Sequence, residues 1–165
     1  NDLRETWLKM TSTYAEAVSH GDENWFYPAG NALLGVVVLG GPWSSAPRAK
    51  ASRVAWDKLP LADDGEFHGL LEEAKQAMQR QPVADFWDAV GPVDLEVTEY
   101  LEAGTLPTQV SVLAGRYRDI AARYGSGREL NSVMSHWRIA ERVLRRFRSV
   151  KHANALKDLL SAIDQ

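Results

Sequence analysis

His68 lies four residues after Asp64 and four before Glu72, so a helix through this stretch puts an imidazole and two carboxylates on one face. Such a set could hold a weakly bound cation, but exposed groups one turn apart more often form a solvated ion pair. His20-Gly21-Asp22-Glu23 is a second acid–imidazole group. At a helix end, its histidine complements the helix dipole and meets water. His136 and His152 have no acidic neighbour in sequence, and no two histidines stand at i, i+3 or i, i+4. There is no HExxH and no cysteine, which excludes thiolate zinc sites, disulfides and cysteine nucleophiles. No GxSxG elbow occurs, and Ser44, Ser45 and Ser126 belong to turn chemistry. The carboxylate pairs Asp63-Asp64 and Glu72-Glu73 stand in polar surroundings, whereas acid–base catalysis needs one member desolvated. These residues point away from an enzyme and away from any cofactor or metal. An all-α enzyme with an Asp/Glu/His site is one alternative.

Charge offers a different chemistry. Residues 1–115 hold 8 Lys and Arg against 17 Asp and Glu, whereas residues 116–151 hold 10 basic residues against 3 acidic ones. The basic stretch culminates in Arg138, Arg142, Arg145, Arg146, Arg148 and Lys151. On a helix Arg138, Arg142 and Arg145 share a face, and Arg142 and Arg146 share another. Part of this charge stabilises a helix C-terminus. The rest suits an acidic protein or peptide partner, pairing within the chain, or head-to-tail self-association between opposed charge halves. Nucleic-acid binding through 138–151 is a second alternative. The sequence pI of about 5.8 and the absence of helix-turn-helix, zinc or RNP patterns argue against it.

The elements that position these groups read as helices. The run WFYPAGNALLGVVVLGG at 25–41 raises the sharpest question, because GVVVLGG could be the first strand of a nucleotide-binding sheet. Context rejects that. No second Val/Ile-rich run accompanies it, Gly35, Gly40 and Gly41 do not make GxGxxG, and GGPWSS is not a P-loop. Phe26, Gly30, Leu33, Val37 and Gly41 step by three and four, with Ala29, Ala32 and Val36 beside them, so the segment is a helix apolar on most sides and therefore buried. Gly30 and Gly35 would let a neighbouring helix come close, and Gly40-Gly41-Pro42 ends it.

Elsewhere the same spacing recurs. Leu3, Trp7, Met10, Tyr14 and Val18 stripe a helix over 3–19 that Gly21 ends. Residues 42–65 form a loop containing a short helix at 48–57. Phe67, Leu70, Leu71, Ala74, Ala77 and Met78 stripe a helix over 65–80 that Gln81-Pro82 breaks. A short helix at 83–90 carries Phe86 and Trp87, and Gly91-Pro92 separates it from another at 93–103, which Gly104 ends. Helix 107–124 places Val110, Leu113, Tyr117, Ile120 and Tyr124 inward, and Gly125 closes it. Ser126-Gly-Arg-Glu129 matches a capping box for a helix to about 148. Its inward residues are Leu130, Val133, Trp137, Ala140, Leu144 and Phe147. A last helix over 152–164 presents Leu156, Leu159, Leu160 and Ile163. Of the six tryptophans, Trp7, Trp87 and Trp137 belong to the core, while Trp25, Trp43 and Trp56 lie at helix ends or in loops.

Short connections imply antiparallel hairpins, pairing 3–19 with 25–40, 65–80 with 83–103 and 107–124 with 126–148. The expected fold is all-α, with 8–9 helices in antiparallel hairpins forming a helical-repeat stack or an irregular bundle. It forms one domain over 1–165. The first residue is Asn1 rather than Met, which points to a piece of a larger protein. No apolar run spans a bilayer, and the lack of cysteine accords with a cytoplasmic location.

Two segments, WFYPAGNALLGVVVLG and RYRDIAARYGSGRELNSVMSHWRIAERVL, resemble divergent tetratricopeptide-like regions of large bacterial signalling and conflict proteins. There, an aromatic-Tyr-Pro-Ala-x-Asn element opens a helix after one ending in Tyr-x-x-Ala. Here Tyr14 and Ala17 precede Phe26, Tyr27, Pro28, Ala29 and Asn31. The full tetratricopeptide signature is absent, and residues 42–105 depart from the pattern. The resemblance implies a right-handed tetratricopeptide-like stack that serves as a protein-interaction scaffold in signalling or defence rather than a catalyst. It also gives Asn31 and its neighbour Tyr27 a role in gripping a bound peptide. A buried amide in an apolar helix must in any case find partners, either in a neighbouring backbone or in a ligand. The candidate partner-binding residues are therefore Tyr27, Asn31, Arg138, Arg142, Arg145 and Arg146.

Overall fold

The structure is a computed structural model that describes residues 2–39 and 64–165. Among these residues it is all-helical, with seven α-helices, one 3₁₀ turn and no strand. The expected short helix at 48–57, the glycine stop at 40–42, Trp43 and Trp56 lie outside the described residues. The helices cluster into two compact units, Asn1–Arg80 and Gln81–Gln165.

In the first unit α1 (Asp2–Ser19) packs on α2 (Phe26–Leu39), and α2 packs on α3 (Asp64–Arg80). The valine run is thus helical, and the nucleotide-sheet reading is gone. Ala29, Ala32, Leu33, Leu34, Val36, Val37 and Val38 are all buried, because α2 has a helix on two sides. The closest approach is at Gly35. A Cβ there would stand 2.7 Å from the Thr11 Cβ and nearer still to its hydroxyl. The Trp7 indole N–H donates to the Gly35 carbonyl at 3.3 Å. The buried line of α1 is accordingly Trp7, Thr11 and Ala15, while Leu3, Met10, Tyr14 and Val18 are half-buried. Small residues centre the seam because the helices nearly touch. Phe67, Leu71, Ala74 and Met78 line α3 at the expected spacing.

In the second unit, α4 (Phe86–Ala103) runs unbroken through Gly91-Pro92, where two helices were expected. Pro92 forfeits only the bond to the Asp88 carbonyl, and Gly91 has no Cβ to meet the proline ring. Asp85 caps α4 by accepting from the Asp88 N–H at 3.0 Å, and the Asp88 carboxylate accepts from the Ala84 N–H at 3.0 Å. Gly104, in the left-handed region at φ 75°, ends it. A 3₁₀ turn at Leu106–Thr108 leads into α5 (Val110–Tyr124), which Gly125 closes at φ 60°.

The Ser126–Glu129 capping box does not form. Ser126 has ψ 48° rather than an extended backbone, and its hydroxyl donates to the Tyr124 carbonyl at 3.0 Å. Helix α6 (Gly127–Phe147) turns directly into α7 (Val150–Asp164), where Ser149 caps by accepting from the His152 N–H.

Helix pairing also departs from expectation. Helix α3 packs on α2, and α4 packs on α5, so 65–80 and 83–103 belong to different units. Helix α7 packs against both α5 and α6, more extensively than those two pack on each other. Its inward face (Ala153, Leu156, Leu159, Leu160 and Ile163) is apolar enough to serve both. Trp87, expected in the core, is 47% exposed because Phe86, one position earlier, takes the inward direction.

Candidate functional site

The six candidate residues fall in two places. Arg138 and Arg145 line one open groove between α6 and α7, with Glu141 from α6 and Lys157, Leu160, Ser161 and Asp164 from α7. Position 138 and position 145 are two turns apart on α6, so both guanidinium groups reach the same side. Arg142 and Arg146 are exposed on the same helix but do not line this groove. The Arg146 guanidinium rests 5.3 Å from the Phe147 ring centroid. Tyr27 and Asn31 lie on α2 in the first unit. Tyr27 lines an open hollow with Asp22, Glu23, Asn24 and Trp25. Asn31 is half-buried and donates through Nδ2 to the Tyr27 carbonyl at 3.4 Å, a bond back along its own helix.

Much of the arginine charge is engaged within the second unit. Arg138 stands 3.6 Å from the Asp164 carboxylate. Arg145 donates to Glu141 at 2.6 Å and to the Asn154 side-chain oxygen at 2.9 Å. Arg116 pairs with Glu96 on α4, and Arg118 donates to the Ala162 carbonyl. Helix α4 brings no basic residue, so its acids offset part of the arginine-rich stretch. At the α6–α7 corner burial lowers the affinity of Arg148 for its proton, with Glu102 opposing. His152 is lowered by burial, then by Arg148 and Lys151.

A third constellation escaped sequence reasoning. Asp94 stands on α4 between the buried residues Val93 and Leu95. The Tyr117 hydroxyl on α5 donates to its carboxyl at 2.5 Å. Desolvation raises the Asp94 carboxyl from 3.8 to about 7, opposed by the Tyr117 hydroxyl and the Trp137 indole. The Trp137 N–H lies close enough to favour the charged carboxylate. Its geometry nevertheless falls short of a hydrogen bond, and Nε1 is buried with no partner. Burial and the neighbouring Asp94 push the Tyr117 phenol well above 10. The available signal was a carboxylate set inside the apolar run VGPVDLEV.

Among the described residues no group of three His, Cys, Asp or Glu side chains is placed to hold a metal ion. No described helix is long and apolar enough to cross a membrane. Compared with protein-family models, with curated proteins and with solved structures, the chain matches none.

Proposed function

We propose that the chain is a protein-interaction scaffold whose second unit docks an acidic segment of a partner protein along the α6–α7 groove. The observation that carries this reading is the convergence of Arg138, Arg145 and Lys157 on one open groove, with Arg142 and Arg146 exposed alongside. The Arg138–Asp164 ion pair is solvent-accessible, and such a pair contributes only ~0–1 kcal/mol. A partner carboxylate can therefore replace Asp164 at small cost. The second unit carries 11 basic and 11 acidic residues in all, so its cationic character is local to the groove. That favours a short acidic segment over the extended phosphate track of a nucleic acid. The bacterial signalling or defence setting, and the tetratricopeptide-like relationship, rest on the resemblance of the two segments quoted above.

The test is fluorescence anisotropy with a labelled oligoglutamate peptide, and with labelled duplex DNA as comparison. The peptide should bind more tightly than DNA and lose affinity as salt rises. Replacing Arg138 and Arg145 by Glu should weaken peptide binding by about 1 kcal/mol per site, roughly fivefold each. Binding that ignores both substitutions, or a preference for DNA, would remove the groove from the account.

A further inference from the structure

The Asp94–Tyr117–Trp137 cluster joins three helices of the second unit, α4, α5 and α6, through polar atoms inside an otherwise apolar core. Tyr117 and Trp137 are 0% and 1% exposed. A neutral Asp94 needs one donor at its carbonyl oxygen, and Tyr117 supplies it at 2.5 Å. An ionised Asp94, on a half-buried residue, presents a second oxygen that accepts only, and a donor on its protein side stabilises that charge. Trp137 holds the complementary group, a buried N–H with no acceptor. Ionisation of Asp94 thus turns its hydroxyl oxygen into a charged, stronger acceptor close to the Trp137 N–H, which also lies near the Tyr117 hydroxyl.

We propose that these three residues form a proton-linked latch, in which loss of the Asp94 proton draws the Trp137 indole into a hydrogen bond and ties α6 to α4 and α5. Proton loss belongs near neutrality, because desolvation raises the carboxyl to about 7. Of the elements packed on α4, helix α5 contributes Tyr117, hydrogen-bonded to Asp94, and Arg116, which is paired with Glu96 and acts on Tyr117. Among the described residues, neither the 3₁₀ turn nor α7 brings a charge that bears on Asp94. From α6 comes His136, whose ring lies 6.3 Å from that of Trp137 and whose proton affinity burial lowers. His136 is therefore a competing source of a pH response at Trp137. Trp137 is followed directly by Arg138, so the latch sits beneath the helix that carries the basic groove.

Nuclear magnetic resonance of the full chain tests this through the Trp137 indole Hε1 signal, assigned by its loss in Trp137→Phe. Titrated from mildly acid to mildly alkaline pH, the signal should move downfield with a midpoint near neutrality. Asp94→Asn keeps an oxygen acceptor for Tyr117 and should leave the signal flat. Tyr117→Phe removes a donor to the carboxylate and should move the midpoint to higher pH. A Trp137 signal that does not titrate overturns the latch. So does one that titrates unchanged in Asp94→Asn, which would assign the response to His136.

Discussion

At the scale of single residues, the half-buried carboxyl of Asp94 makes a stability claim with a definite sign. Its affinity for protons is higher in the folded chain, about 7, than at the ordinary carboxylate value of 3.8. The folded state therefore binds more protons over that interval, so stability is greatest below it and falls as pH rises toward 7. The loss is on the order of 2–4 kcal/mol, the lower figure allowing for the partial exposure of Asp94. Half-buried His136 and His152, both lowered, contribute in the opposite direction over their own range. Asp94→Asn should therefore be more stable than the unmodified chain in mildly alkaline buffer and should lose most of the decline, as read by urea denaturation at a series of pH values. A mutant that is less stable in alkaline buffer would contradict this. Asp94 was hidden because its sequence neighbours describe a core helix and its partners stand 23 and 43 positions away. The arginines were visible because identity and spacing alone place them on one exposed helix. Two of their partners, the Asp164 carboxylate and the hydrogen-bonding Asn154 amide oxygen, come from α7 and needed the fold.

At the scale of elements, the contact of α1 with α2 is the most demanding. Replacing Gly by Ala inside a helix ordinarily stabilises it by about 1 kcal/mol. At Gly35 the sign should reverse, because the new Cβ would overlap Thr11 and force the helices apart, at ~1–3 kcal/mol. Thr11→Gly in the same chain should recover part of that loss, a coupling that a double-mutant cycle in urea would measure. Additive effects would mean that the seam is loose. The requirement for a small residue here was legible, since a glycine in the middle of a buried helix has few other uses. Which side of α1 met it was not. The expected stripe was Leu3, Trp7, Met10, Tyr14 and Val18; close packing kept Trp7 and buried Thr11 and Ala15 with it, leaving the other four half-buried. Helix ends marked by Gly21, Gly104 and Gly125 were readable because a left-handed backbone selects glycine. Pro92 misled, because a proline bracketed by a strong Asp85 cap and a preceding glycine costs one hydrogen bond rather than a helix.

At the scale of the whole molecule, helical periodicity foretold the all-α class, while partner choice among helices depended on contacts that spacing does not encode. The second unit has its own core, centred on Leu101, Tyr117, Trp137, Leu144 and Leu156. Residues 81–165 expressed alone should therefore give a helical circular dichroism spectrum and unfold cooperatively in urea, whereas a chain whose stability is indivisible would leave this piece unfolded. Charge is divided inside that unit, with α4 purely acidic and the arginines gathered on α5 and α6. The groove between α6 and α7 is where cations collect without a full complement of acids. The most direct test is amide chemical-shift mapping of the full chain titrated with an oligoglutamate peptide. The account predicts perturbations concentrated at Arg138, Arg145, Lys157 and their neighbours, fading as salt is added. Perturbations centred on Tyr27 and Asn31, or around exposed Trp87 and Val112, would place the docking surface elsewhere and contradict it.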